Sequence, residues 1–322
     1  MNYRYELAPD HSTPAIGASI GGQRAVIDTA LALRAAGRAF ALAIVVGAEG
    51  STYRKPGALA LIADDGCRVG VISGGCLEAG LDLLGRDALV ADAPCLNVFD
   101  TRSDDDLVFG SGSGCRGRMH VVAVPVRPDR ISPVFERLTR AWRAREDLTI
   151  ELVDLAPNLF SAGRVEIRAP TTVLAIGAGP ETPPLLRITR TLGWYTSVAD
   201  HRDGLLDEAR MRDADVVTRG RPAAALRELA GQRIDAAIVM THLADADLEA
   251  LAALAQSPVR YVGLLGPPAR RDELLARLGD EERAALRGRL HAPVGLRLGG
   301  EGPEAIAIAI AAELQQVFEP AR

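Results

Sequence analysis

Three short stretches combine residue types that can hold an anion or act as a nucleophile. The first is Gly50-Ser51-Thr52-Tyr53-Arg54-Lys55-Pro56-Gly57. It carries a glycine at each end, two aliphatic hydroxyls and two cations, and it follows an apolar run. Exposed N–H groups beside positive charge form a concave anion site. The spacing is not that of a Walker A loop, so NTP hydrolysis is not implied. The second is Ser73-Gly74-Gly75-Cys76-Leu77-Glu78. If a helix starts at Gly75, Cys76 falls in its first turn, where the helix dipole favours a thiolate and free N–H groups favour a phosphate. Glu78 would cap that start, and a small buried residue is the plain alternative for Cys76. The third is Gly110-Ser-Gly-Ser-Gly114-Cys115-Arg116-Gly117. So many glycines leave little side-chain mass to bury a thiol, so Cys115 reads as exposed and usable. Cys67 and Cys95 sit beside a hairpin turn and at a strand start and read as structural. The four cysteines form no C-x-x-C pair and no zinc spacing.

A further set lies in the second half. Gly177-x-Gly179-x-x-Thr182 follows the apolar segment Thr172–Ile176, and Asp200 closes the next apolar segment. That is the layout of a Rossmann dinucleotide site. The glycines admit pyrophosphate to a helix N-terminus, and the acid accepts from a ribose hydroxyl. Thr182 replaces the third glycine, and Pro180, Pro183 and Pro184 remove N–H groups that would hold phosphate. The reading therefore stays open between an NAD(P) site and a Rossmann scaffold with a reduced nucleotide site. Thr241-His242 ends another strand, where α/β ligand crevices form, and His242 could donate a proton or cap local backbone. Arg270-Arg271, beyond the Tyr261–Gly266 turn, face an anion or simply open a surface helix.

These residues need elements to carry them. A helical pattern spans the segment from Gly21 to Arg38, with Val26, Ile27, Ala30, Leu31 and Leu33 on one face. FALAIVVGAEGS reads as a buried strand, and ALALIADDGCRVG as a hairpin turning at Asp65-Gly66. A helix over about 75–90, strands at Cys95–Asp100, His120–Val126 and near Leu148–Val153, and a helix at Pro133–Arg145 complete the first half. From Thr172 onward strands at 215–217, 236–241 and 259–265 alternate with helices at 222–230, 245–256, 270–278 and 303–318. Such alternation argues a parallel sheet covered on both faces. The expected fold is α/β: a mixed N-terminal domain, residues 1–165, then a Rossmann-like doubly wound parallel-sheet domain, residues 166–322.

Composition narrows the function. The chain has 322 residues, a formal charge of −5, 48% hydrophobic and 25% charged residues, values of an ordinary globular protein. No basic patch suits nucleic acid: Arg137, Arg140, Arg143 and Arg145 read as one solvated helix face. The start, MNYRYELAPDHSTPA, has no secretory pattern and no apolar run is long enough to span a membrane, so a cytoplasmic location is expected. Among the 37 cationic residues Lys55 is the single lysine. Codon bias explains the arginines, and the exception falls inside the first motif.

Taken together, the motifs resemble the XdhC/CoxI family, accessory proteins for the maturation of xanthine dehydrogenase and related molybdenum hydroxylases. The resemblance rests on GSTYRKPGA at 50–58, SGGCLE at 73–78, GSGCRG at 112–117, VLAIGAG at 173–179, VMTH at 239–242, YVGLLG at 261–266 and HAPVGLRLGGEGPEAIAIAIAAEL at 291–314. It spans nearly the whole chain in order. It implies a non-catalytic protein that binds the molybdenum cofactor, a phosphorylated pterin dithiolene (molybdopterin) that many bacterial hydroxylases use as a cytosine dinucleotide. It implies protection of that cofactor while a cysteine desulfurase supplies its sulfur, delivery to the apo-hydroxylase, and a homodimer. By the same resemblance Cys76 and Cys115 match the family's motif cysteines, and Arg54 and Lys55 its cationic turn, with Ser51, Gly75 and Gly114 beside them. Two departures, Pro180 where the family commonly has histidine and Pro267-Pro268 where it often has Ser-Arg, fall on the Rossmann ligand face.

Overall fold

The computed structural model describes residues 22–75, 77–102 and 116–319, together with the backbone of Arg4–Glu6. Cys76, Gly114 and Cys115 lie outside the described residues. The chain divides into two compact units, residues 10–170 and residues 171–322 with the first nine.

A short strand, β1 (Arg4–Glu6), comes first and belongs to the second unit. The first unit then runs α1 (Gly22–Ala35), β2 (Phe40–Gly50), β3 (Leu59–Ala63), β4 (Arg68–Val69), α2 (Glu78–Ala91), β5 (Cys95–Asp100), β6 (Gly117–Val126), α3 (Pro133–Ala144), β7 (Leu148–Glu151), α4 (Leu152–Leu155) and β8 (Arg164–Ile167). Five of these strands make one antiparallel sheet in the order β4-β3-β2-β6-β5. Its two faces bury different sizes of side chain. Phe40, Leu42 and Ile44 of β2 pack with Val26 and Ile27 of α1 and Phe135 and Leu138 of α3. The alternate residues Ala41, Ala43 and Val45 face Leu81, Leu84 and Ala88 of α2. Small residues there let α2 approach closely: a Cβ on Gly85 would stand 2.7 Å from Ile62 Cβ. Burial on both faces explains why β2 reads as an unbroken apolar run despite antiparallel pairing.

Antiparallel alternation also decides where the loops emerge. The β2–β3, β4–α2 and β5–β6 connections all leave from the same end of the sheet. Near that end the β2–β6 register shifts between Val45 and Gly47, a bulge that bends the strand. Two segments differ from the sequence reading. The helix expected from Gly75 starts at Glu78, because Gly75 takes φ +115°, a left-handed value incompatible with a helical turn. The strand expected to reach Val153 stops at Glu151, and β8 pairs antiparallel with it, which keeps Arg164–Ile167 with the first unit.

The second unit holds β9 (Thr172–Ile176), α5 (Thr182–Thr191), β10 (Tyr195–Asp200), α6 (Glu208–Met211), β11 (Val216–Arg219), α7 (Pro222–Glu228), β12 (Ala236–Val239), α8 (Ala244–Ala255), β13 (Tyr261–Leu264), α9 (Pro268–Arg277), α10 (Asp280–Leu286), β14 (Leu290–His291) and α11 (Pro303–Phe318). Sheet order is β1-β11-β10-β9-β12-β13-β14, parallel except for β1. This is the doubly wound Rossmann order with an antiparallel strand added at one edge. Residues of α5 and α11 cover one face and those of α7 to α10 the other. Among the described residues no helix is long and apolar enough to cross a membrane.

The β2–β3 turn is clamped at Gly57. Its φ is +91°, and a Cβ there would lie 2.1 Å from the Glu166 carbonyl oxygen. Gly37 also has a positive φ, +68°, but open space around it. Gly57→Ala is expected to lower stability by about 3 kcal/mol or more, strain and overpacking together, and Gly37→Ala by about 1 kcal/mol. Urea unfolding followed by tryptophan fluorescence checks this; equal midpoints for the two variants would refute the clamp.

Candidate functional site

The three loops that share one end of the first sheet carry the first-half motifs. Gly50 and Gly117 face each other across β2 and β6. A Cβ on Gly50 would come within 2.7 Å of the Arg116 carbonyl oxygen, and one on Gly117 within 2.3 Å of the Ser51 carbonyl oxygen. Only glycine fits at either position, so the backbones of the two loops touch. Ser51 N–H donates to the Arg116 carbonyl (3.2 Å), and Thr101 Oγ1 donates to the Gly117 carbonyl (3.0 Å).

Within the cationic turn the hydroxyl of Thr52 donates to the Arg54 carbonyl (2.9 Å) and accepts from Lys55 Nζ (3.2 Å). Gly57 N–H donates to the Val45 carbonyl, and Gln23 Nε2 to the Gly57 carbonyl, both at 2.8 Å. The turn is thereby fixed along its length. Neither Arg54 nor Lys55 has an acidic partner among the described residues, whereas neighbouring Arg102 and Arg118 are both spent on Asp100. These two arginines hold the Asp100 carboxyl far below the usual carboxylate range.

In the 73–78 loop the Ser73 hydroxyl bonds the Glu78 carboxylate at 2.7 Å and accepts from Leu77 N–H at 3.1 Å. Leu77 N–H also donates to Glu78 Oε2 (3.1 Å). The chain's own carboxylate thus sits at the α2 N-terminus, where the motif alone points to a phosphate. The dipole-stabilised anion at this helix is Glu78, and the Cys76 expectation that relies on a start at Gly75 loses that support. Between the loops lies a cavity of about 30 Å³, lined by Tyr53, Leu77, Phe99 and Met119 together with Ser51 and Thr101. That is room for roughly one water. Ser51, Arg54, Lys55 and Gly75 therefore come from loops that meet, and Tyr53, Phe99 and Met119 join them. The last three are ordinary apolar residues in the sequence; only the register of β5 and β6 brings two of them to this end. Among the described residues no group of three or more His, Cys, Asp or Glu side chains could hold a metal ion.

In the second unit Gly177, Gly179 and His242 meet at the point where strand order reverses, between β9 and β12. A Cβ on Gly177 would lie 2.4 Å from the Met240 carbonyl oxygen, so the first glycine serves close packing. Thr182 fits in place of the third glycine because its hydroxyl folds back onto the Gly177 carbonyl (2.8 Å). Over Gly179 lies a hydrogen bond between His242 Nε2 and Glu181 Oε2, 3.0 Å long. His242 takes φ +63°, rare outside glycine. Asp200 is 2% exposed, and four donors saturate it. Arg202 N–H and Nε reach one oxygen (2.9 Å each), and Ala178 N–H (2.8 Å) and the other Arg202 nitrogen (2.7 Å) reach the second. A carboxylate has about four lone-pair sites, so none is left for a ribose. Burial pushes the Asp200 carboxyl up, but Arg202 and the two N–H groups outweigh it and hold it below its ordinary 3.8.

These residues do not fit a dinucleotide. The Glu181 carboxylate covers the glycine that pyrophosphate must approach, and the ribose acceptor is occupied. Titration calorimetry with NAD+ and NADP+ is expected to show no saturable binding at micromolar nucleotide; a saturating isotherm abolished by Asp200→Ala would overturn this. A pH test follows from the lowered Asp200 carboxyl. Its contribution to stability is complete above 3.8 and is lost as pH falls through the lower folded value. Asp200→Asn should cost about 2–3 kcal/mol at pH 7, and the gap between variant and wild-type urea midpoints should close as pH drops below 3.8. A gap unchanged by pH would exclude the charged role.

Comparison with known proteins matches residues 33–100 to the XdhC and CoxI family and residues 173–314 to the XdhC Rossmann domain. A Bacillus subtilis protein named as a probable xanthine dehydrogenase subunit is 30% identical, over 85% of this chain and 92% of its own length. An uncharacterized Escherichia coli protein, YqeB, is 28% identical over 86% of this chain, but the match spans only 43% of that longer protein. A crystal structure described as a xanthine dehydrogenase from Bacillus halodurans superposes with a TM-score of 0.77 at 28% identity, covering 92% of this chain and 97% of that one.

Proposed function

The chain belongs to the XdhC and CoxI family, and on that premise we propose that it is a non-catalytic accessory protein that binds the molybdenum cofactor and hands it to an apo molybdenum hydroxylase of the xanthine dehydrogenase or aldehyde oxidoreductase type. The observation that carries this reading is the cationic turn. Arg54 and Lys55 stand without acidic partners among the described residues, on a turn fixed by its own hydrogen bonds and held against Arg116-Gly117. A cofactor that carries a phosphate, or a cytosine dinucleotide, needs such charge, and a rigid turn supplies it without an ordering cost.

The thiols fit the same reading through the sequence. Cys76 is bonded to Leu77, which walls the cavity, and Cys115 to Arg116, whose carbonyl anchors Ser51. A soft metal–sulfur centre, or a sulfur in transit from a cysteine desulfurase, calls for thiolate ligands. The protein shields the cofactor during sulfuration and releases it to the client. It acts as a homodimer in the cytoplasm.

The test is anaerobic. Protein mixed with cofactor released from a purified molybdenum hydroxylase, then desalted and oxidised, should retain a fluorescent pterin. Arg54→Met with Lys55→Met should retain it roughly tenfold less well, the loss of charge-assisted bonds to one phosphate, and retention should fall with salt. Lys55→Arg should lie between. The Cys76→Ala and Cys115→Ala pair should lose it as well. No retention by the wild type would overturn the reading, and undiminished retention by the double cation variant would remove the turn from it.

A further inference from the structure

We propose that Tyr53 is the stacking platform of the first-unit site, a role no comparison assigns, and that the ligand's planar heteroaromatic ring lies against it with the phosphate on Lys55 and Arg54. This rests on the reading above and names the residue that recognises the ring.

Tyr53 is 59% exposed, the one aromatic side chain so exposed among those described. Of the other described aromatics, Phe40, Phe135, Trp194 and Tyr261 are buried and Phe99, Trp142, Phe160, Tyr195 and Phe318 are half-buried. An aromatic ring left in water forgoes the largest apolar gain available to its size. Its exposure is not slack in the chain, because the turn that bears it is fixed on both sides. Ser51 N–H is tied to Arg116, the Thr52 hydroxyl to Arg54, and Gly57 to Val45 and Gln23. No hydrogen bond or cation over the ring occupies Tyr53 among the described residues.

What borders the ring favours a flat guest. The nearest atom to a Cβ placed on Gly74 is Tyr53 Cδ2, at 3.9 Å, and a Cβ on Gly75 would meet nothing within 4 Å. Among the described residues, two successive positions without side chains thus leave the Tyr53 Cδ2 edge uncrowded. Phe99 and Met119 line the same small cavity as Tyr53. Next in the chain come the two cations. An aromatic face beside unpaired positive charge suits a planar heterocycle that carries a phosphate, because stacking tolerates any flat π-system and the charge selects the phosphate-bearing one. A peptide or a saturated sugar phosphate would use the cations but not the ring.

The experiment uses the full-length protein and two probes: cofactor released anaerobically from a purified molybdenum hydroxylase, and 6-hydroxymethylpterin, which has the ring without an anionic group. Tyr53→Ala is expected to weaken retention of the first by roughly tenfold or more, whereas Tyr53→Phe and Tyr53→Trp should keep it within about twofold of wild type, since both keep a stacking face. The second probe should bind more weakly, lose affinity on Tyr53→Ala and be nearly indifferent to Lys55→Met. Urea midpoints of the Tyr53 variants should match the wild type, because that side chain is exposed. Retention by Tyr53→Ala equal to that of a retaining wild type overturns the platform and leaves the proposed function standing. Equal losses in Tyr53→Phe and Tyr53→Ala assign the role to the hydroxyl and overturn stacking. A wild type that retains nothing overturns both.

Discussion

The first unit depends on a backbone contact that excludes side chains. Gly50 and Gly117 stand opposite each other where β2 ends and β6 begins, and a Cβ on either would drive into the partner loop's carbonyl oxygen. This contact joins the cationic turn to the strand that follows the glycine-rich 103–115 segment. Gly57 repeats the device at the other end of the turn, against the Glu166 carbonyl. Between the two glycines the residues that could meet a ligand are presented on a frame with little freedom. Such a frame spends its conformational entropy on folding and not on binding. The same contacts explain why a turn with two cations and a large exposed aromatic does not collapse onto itself.

The second unit shows the same kinds of residue used inwardly. Its glycine turn, its acid at the end of β10 and its histidine at the switch point have the layout of a nucleotide site, yet each is satisfied within the chain. Gly177 packs on Met240, Asp200 takes four donors, and His242 pairs with Glu181. Fold and site part company here: strand order and helix placement persist, while the acceptors and open space that define a ligand crevice are filled. Saturated carboxylates give stability and order, and they give no binding.

Much of this is legible without coordinates. The apolar run of β2, the hairpin at Asp65-Gly66, the strand Cys95–Asp100 and the strand–helix alternation after Thr172 are local patterns, and periodicity reads them directly. The three motifs of the first half are also visible, but not the meeting of Gly50-Ser51 with Arg116-Gly117, which follows from antiparallel pairing between strands far apart in sequence. The start of α2 escapes sequence reasoning because Gly75 adopts a left-handed backbone that composition does not reveal. β1 escapes because three residues carry no period. The contributions of Tyr53, Phe99 and Met119 are hidden for a simpler reason: an aromatic or a methionine in a strand or turn looks like core until its burial is known.

The one lysine gains a physical reason from its surroundings. Lys55 Nζ reaches back to the Thr52 hydroxyl, which itself donates to the Arg54 carbonyl. That closed relay needs a compact donor on a flexible stem, able to hold one hydroxyl with one hydrogen and offer the others outward. A guanidinium is planar and longer, and its fork favours two parallel bonds to a carboxylate or phosphate over a single hydroxyl within its own turn. The Arg54 side chain, one residue earlier, makes no such bond among the described residues and can present its fork. The pair therefore differs in what it does within the turn: the lysine stiffens it while carrying charge, and the arginine fork is left without a partner among the described residues. A mutational drift toward arginine can rewrite a solvated helix face at no cost, but here it would remove the bond that holds the turn in shape.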